Sequence, residues 1–140
     1  HSASSWTENA EFINELRSAL HIYEDLLGSV TPRESDIYRM RTDQRMTYVE
    51  IGRRINLTRQ SVARIFHKTQ RKFRHPMRAD RAREELTRMF RVAAALGVTT
   101  PQLERFLVNR HFGLALLCVM LGLNFDECRP GEYLNSHFPK

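Results

Sequence analysis

The stretch MTYVEIGRRINLTRQSVARIFHKTQRKFRHP, residues 46–76, holds two helix starts in succession with one sharp break between them. Thr47 followed by Glu50 is a capping box: the hydroxyl takes one free backbone N–H and the carboxylate returns to another, so a helix is predicted from Tyr48. Val49, Ile51 and Ile55 give this short helix an apolar side, and Gly52, without a Cβ, lets a second segment cross close by. The break falls at Asn56, one of the few residue types besides glycine that accept a left-handed backbone. Leu57 is placed to plug the corner, and Thr58 is the next N-cap. Beyond it Val62, Ile65, Phe66, Thr69 and Phe73 recur at spacings of three and four, which predicts a second helix with one buried and one exposed side. Two short crossed helices joined this way are a helix-turn-helix.

The exposed side of the second helix carries the functional signal. Residues 59–79 contain seven Lys or Arg (Arg59, Arg64, Lys68, Arg71, Lys72, Arg74 and Arg78) and no Asp or Glu. Such a stripe neutralises phosphates and gains affinity from the counterions it releases. A charge run by itself is more often a solvated helix face. The capped turn in front of it shifts the balance to nucleic acid, because side chains at the start of the second helix reach base edges in the major groove.

At these residues the chain resembles domain 4 of the sigma-70 family, the part of a bacterial sigma factor that reads the upstream promoter element. The resemblance covers residues 31–83: the opening TPRE with its RMR, the EIG of the first helix, LTRQSVARI for the recognition helix, and RKFRHP followed by MR. The closing KFRHP is its most specific piece. The resemblance implies a domain that binds double-stranded DNA and grips the flap of the RNA polymerase β subunit. It assigns base reading to Arg59, Gln60, Ser61 and Arg64, and phosphate or activator contacts to Thr47, Thr58, Lys68, Arg71, Lys72 and Arg74. Polymerase contact falls to Phe73, with Phe66, which stands where the family usually has Glu, enlarging the apolar surface. In the recognition helix only the leading Arg of the family pattern is kept. Gln60 favours adenine where the family's glutamate favours cytosine, so a different base set is expected.

Composition bounds the remainder. A chain of 140 residues with 41% hydrophobic content can bury one sizeable core. Its net charge of +6 is unevenly spread: residues 31–91 hold 17 Lys or Arg against 7 Asp or Glu, a balance of +10, and the flanks hold 5 against 9, a balance of −4. Nucleic acid belongs with the middle, and protein contacts suit the flanks. Cys118 and Cys128 match no zinc spacing, and Cys118 sits in an apolar run as a buried free thiol. Two scattered cysteines suit a cytoplasmic protein. There is no signal peptide pattern, the longest apolar run (residues 112–123) is too short to span a bilayer, and the opening His-Ser resembles a tag scar. No nucleophile elbow, metal motif or glycine-rich phosphate loop is present, so neither an enzyme nor a cofactor is expected.

The flanks complete an all-α expectation in three parts. Residues 1–30 form an acidic amphipathic helix ending at Gly28, capped by Ser5 or Thr7, with Phe12, Leu16, Ala19, Leu20, Tyr23, Leu26 and Leu27 on one face. That face closes the core of the DNA-binding unit or meets a basic partner. In residues 31–83, Thr31, Pro32 and Glu34 begin a helix that buries Ile37, Tyr38 and Met40 and leaves Arg39, Arg41 and Arg45 outside. In residues 84–140, after a helix capped by Asp80, Gly97 makes a stop and Thr100-Pro101 a new start. A break follows near His111, and residues 114–121 are apolar all round. They form either the centre of a C-terminal bundle or a surface awaiting a partner or second copy. Residues 124–140 read as an irregular tail with one helical turn near Glu132.

Two function classes follow. One is a sigma-like transcription regulator, not a complete sigma factor, either a fragment of a longer chain or a standalone protein acting on a host polymerase. The other is a self-sufficient repressor or activator that dimerises through its C-terminal helices and ignores polymerase.

Overall fold

A computed structural model describes residues 5–123 and 130–138. The Ser-rich opening, Cys128 and the irregular stretch expected over 124–129 lie outside the described residues. All regular structure within them is helical. After a 3-10 turn at Ser5–Glu8 comes α1 (Ala10–Gly28). Its cap is Asn9, whose side chain accepts from the Glu11 and Phe12 N–H groups at 2.9 and 3.1 Å, and not Ser5 or Thr7. The apolar stripe of α1 lies chiefly against α5 (Pro76–Ala95), so this helix closes a core wider than the DNA-binding unit.

The predicted helix-turn-helix is formed by α3 (Tyr48–Ile55) and α4 (Arg59–Arg74), preceded by α2 (Pro32–Thr42). Both capping boxes, Thr31 with Glu34 and Thr47 with Glu50, close in both directions. Asn56 adopts the left-handed backbone at φ 59° and ψ 49°, and the Leu57 N–H returns to the Gly52 carbonyl at 2.9 Å. A Cβ at position 52 would collide with the Leu57 carbonyl oxygen, so the turn itself demands the glycine. Val49 faces outward at 39% exposure, leaving Ile51 and Ile55 as the inner face of α3.

The angle of α4 is set by an aromatic cluster. The Tyr38 ring stacks on Phe66 at 5.3 Å between centroids and meets Phe73 edge-on at 5.1 Å, all three fully buried. Each pair contributes about 0.5–1.5 kcal/mol beyond its buried area. Beside it, Glu34 on α2 is 4% exposed and accepts from Lys72 Nζ at 2.8 Å and from its own cap, the Thr31 N–H, at 2.9 Å. Burial alone would raise the Glu34 pKa, but the Lys72 and Thr31 hydrogen bonds outweigh it and hold the carboxyl below its ordinary value. Arg41, expected at the surface, is fully buried: its guanidinium lies 4.8 Å from the Tyr48 ring centroid and donates to the Met46 carbonyl at 2.9 Å. A planar, weakly hydrated cation can be buried this way when ring faces and a carbonyl replace water.

The C-terminal half departs from expectation at its boundaries. Helix α5 starts directly at Pro76, suited to a first helical position, with His75 Nδ1 accepting from the Met77 N–H at 3.3 Å; Asp80 lies inside the helix. Thr99 and Gln102 form a third capping box for α6 (Thr100–Arg110). His111 is the break, and α7 (Phe112–Met120) includes Gly113, where a Cβ would run into the Tyr23 hydroxyl of α1. Every residue of α7 is buried, and the helix touches α1, α2, α6 and α8 (Pro130–His137). The apolar run is thus the centre of a bundle, and the chain's own helices cover the face read as awaiting a second copy. Helix α8 is longer than the single turn expected, because Tyr133, Leu134 and Phe138 supply a buried side. The resulting core is continuous from Phe12 to Phe138.

Two outcomes follow for urea unfolding monitored by circular dichroism. Gly52→Ala lowers stability by about 1–3 kcal/mol, since backbone must shift to admit the methyl, while Asn56→Gly stays within about 1 kcal/mol of the parent. Glu34→Gln costs about 1.5–3 kcal/mol at pH 7, the range for a hydrogen bond to a charged group. Because the folded Glu34 pKa is depressed, its stabilisation is complete above the unfolded carboxylate value and is lost as pH falls through the folded one. The gap between parent and Glu34→Gln should therefore close under acid conditions, and a gap independent of pH contradicts this account of the clamp.

Candidate nucleic-acid interface

Helix α4 has two chemically opposite sides. Val62, Phe66, Thr69, Gln70 and Phe73 are buried, with Gln70 Nε2 donating to Met120 Sδ of α7 at 3.4 Å. Arg59, Gln60, Arg64, Lys68, Arg71 and Arg74 are exposed. A sequence with apolar residues at helical spacing divides this way because only one side can join the core. Thr58 caps the first turn by accepting from the Ser61 N–H at 3.1 Å, so the exposed residues begin at a well-defined helix start.

The four residues assigned to base reading do not sit alike. Arg59, Gln60 and Arg64 project from the surface, whereas Ser61 is half-buried. Its hydroxyl oxygen accepts from Thr58 Oγ1 at 2.9 Å and from Arg64 Nη2 at 3.1 Å. Ser61 therefore ties the Arg64 guanidinium back to the first turn.

The residues assigned to phosphates also divide. Arg71 and Arg74 are exposed, and Lys68 is largely so, 3.9 Å from Glu34 Oε2. Lys72 is half-buried and engaged by Glu34, which turns it toward α2. The Thr47 and Thr58 hydroxyls act as helix caps, accepting from the Glu50 and Ser61 N–H groups at 3.1 Å each. Glu34 is the one carboxylate recorded in an ion pair with α4 among the described residues, and it is almost wholly buried, so the outer side of the helix stays strongly positive. Exposed Arg53 and Arg54 in the last turn of α3 add to the positive charge of the helix-turn-helix, with Arg54 donating to Gln44 Oε1 at 3.1 Å. Paired arginines ending a helix were a readable signal, since cations are favoured at that end.

Phe66 and Phe73 are a correction. Both are fully buried against Tyr38, so neither forms an exposed apolar surface for polymerase. The substitution of Phe for the family's Glu at position 66 is used inside the chain, where the ring fills the seam between α2 and α4.

Elsewhere, a cleft of about 300 Å³ lies between α1, the end of α2 and the α6–α7 junction, lined in part by Tyr23, Asp43, Arg45 and His111. Burial lowers the His111 pKa, helped by Arg110, and raises that of Asp43 against the opposing effect of Arg39. The Cys118 thiol is buried and pushed up by that burial, which makes it a poor nucleophile. Among the described residues no three His, Cys, Asp or Glu side chains gather to hold a metal ion, and no helix is long and apolar enough to cross a membrane.

Comparison with known proteins bears on the same segment. The sigma-70 region 4 family matches residues 26–75. RNA polymerase sigma factor RpoD of Neisseria gonorrhoeae is 41% identical over 76 residues, covering 49% of this chain and 12% of that protein. Sigma factor SigA of Nostoc sp. is 46% identical over 59 residues, 39% of this chain and 15% of the relative. SigA of Clostridium acetobutylicum is 34% identical over 65 residues, 44% and 17% respectively. The chain thus corresponds to well under a fifth of the length of these relatives. No solved structure matches it. The segment over residues 26–75, with its two capped helices, left-handed Asn56 corner and exposed basic α4, is the part of this all-α chain that matches the sigma-70 region 4 family.

Proposed function

We propose that this chain is a sigma-like transcription regulator. It binds promoter DNA through α4 and contacts bacterial RNA polymerase without being a complete sigma factor. The observation that carries the reading is the outer side of α4: Arg59, Gln60 and Arg64 lie exposed at its start, followed by Lys68, Arg71 and Arg74, opposite a fully buried aromatic side. Arg59, Gln60 and Arg64 read bases; Lys68, Arg71 and Arg74 hold phosphates and fix the register. Ser61 acts through Arg64. The protein works in the cytoplasm as a binding module, with no catalytic step of its own.

Polymerase contact rests on the region 4 domain alone, since the aromatic residues first assigned to it belong to the core. Dimerisation through the C-terminal helices has lost its apolar face, because α7 is covered within the chain. Retention of core RNA polymerase by the immobilised chain, together with a monomeric elution volume, supports the polymerase-binding reading. A dimer that ignores polymerase and binds a palindromic duplex overturns it.

Selection from a randomised duplex library, followed by anisotropy titration, tests the DNA assignment. Arg59→Ala and Gln60→Ala should each relax base choice at one position, with discrimination falling roughly ten- to hundredfold. Arg71→Ala should weaken cognate and unrelated duplexes alike. Ser61→Ala should resemble a milder Arg64→Ala, because the guanidinium loses its anchor. If all four changes leave binding untouched, α4 is not the reading helix.

A further inference from the structure

The loop between α2 and α3 positions the whole helix-turn-helix, and its side chains run to the far C-terminal end of the described chain. Arg45, in that loop, has a left-handed backbone at φ 56°, a conformation a side-chain-bearing residue keeps only when its surroundings hold it. Its guanidinium lies 5.3 Å from the Phe138 ring centroid and donates to the Val108 carbonyl of α6 at 3.1 Å. Arg41, which carries the Met46 carbonyl just before the Thr47 cap, lies 5.5 Å from the same ring. Phe138 itself is 5% exposed and rests on Phe112 at 4.3 Å between centroids. One ring is therefore shared by a cation at the end of α2, a cation of the loop that leads into the helix-turn-helix, and the first residue of the central helix.

We infer that Phe138 is a positioning residue for DNA recognition: its ring, held on Phe112 just beyond α8, fixes Arg41 and Arg45 and through them the loop from which α3 and α4 are aimed. The inference rests on the proposed DNA reading for its consequence, though the mechanical link stands on geometry alone. A cation–π contact is directional and depends on the ring face. An apolar side chain of similar bulk fills the space without supplying that face. The C-terminal segment thereby couples to a DNA-contacting surface with which it shares no base- or phosphate-facing residue.

The test compares the parent chain with Phe138→Tyr, Phe138→Leu and Phe138→Ala by amide hydrogen exchange and by duplex titration. Phe138→Tyr keeps the ring face and should behave as the parent in both. Phe138→Leu should keep parent-like protection in α1 and α5 while the amides of residues 43–50 exchange several-fold faster, and affinity for a selected duplex should fall several-fold at an unchanged salt slope. Phe138→Ala should show the same pattern more strongly. Unchanged exchange over residues 43–50 in both Leu and Ala variants overturns the inference, as does equal loss in the Tyr variant. If the parent binds no duplex, the DNA reading fails, and the exchange data alone then decide the link between Phe138 and the loop.

Discussion

The contact on which the architecture turns is the seam between α2 and α4, where Tyr38 lies flat on Phe66 and edge-on to Phe73. Those three rings consume the apolar side of α4, which fixes the direction in which its arginines project. The carboxylate of Glu34 closes the same seam at its polar edge by engaging Lys72. A helix fastened this way on one side cannot roll, and among the described residues its outer cations stay exposed.

Around that seam the chain builds more than the segment that resembles region 4. Helix α7, buried on every side, serves as a post against which α1, α2, α6 and α8 stand. Gln70 of α4 reaches Met120 of that post, so α4 is anchored in both the segment that resembles region 4 and the extension. The burial of Phe66 and Phe73 belongs to the α2–α4 seam itself, and the added helices extend the same core beyond it.

Much of this was legible in the chain's residues. Capping boxes, the Asn56 corner and the apolar spacing of α4 are local signals, and each depends on atoms within four residues of one another. What escaped was decided by distant parts. Arg41 looks like a surface cation until the rings of Tyr48 and Phe138 are brought to it from elsewhere in the sequence. Val49 is apolar by type but faces outward, because two positions before the buried Ile51 it lies on the other side of α3. Pro76 begins α5 where a later Asp80 cap was expected, and α8 runs to about two turns where one was expected, because its buried side needs Phe112 to pack on. In the candidate interface, exposure of Arg59, Gln60 and Arg64 was foreseeable from the helix period, while the engagement of Lys72 by Glu34 and of Ser61 by Arg64 required coordinates.

The most direct test of the central claim is the salt dependence of duplex DNA affinity for the intact chain, measured by fluorescence anisotropy between about 50 and 200 mM salt. The three exposed cations of α4 assigned to phosphates, Lys68, Arg71 and Arg74, predict a log–log slope of about −3, a loss of roughly fortyfold across that range. A slope near zero, or no duplex binding at the low-salt end, contradicts the assignment of α4 to DNA.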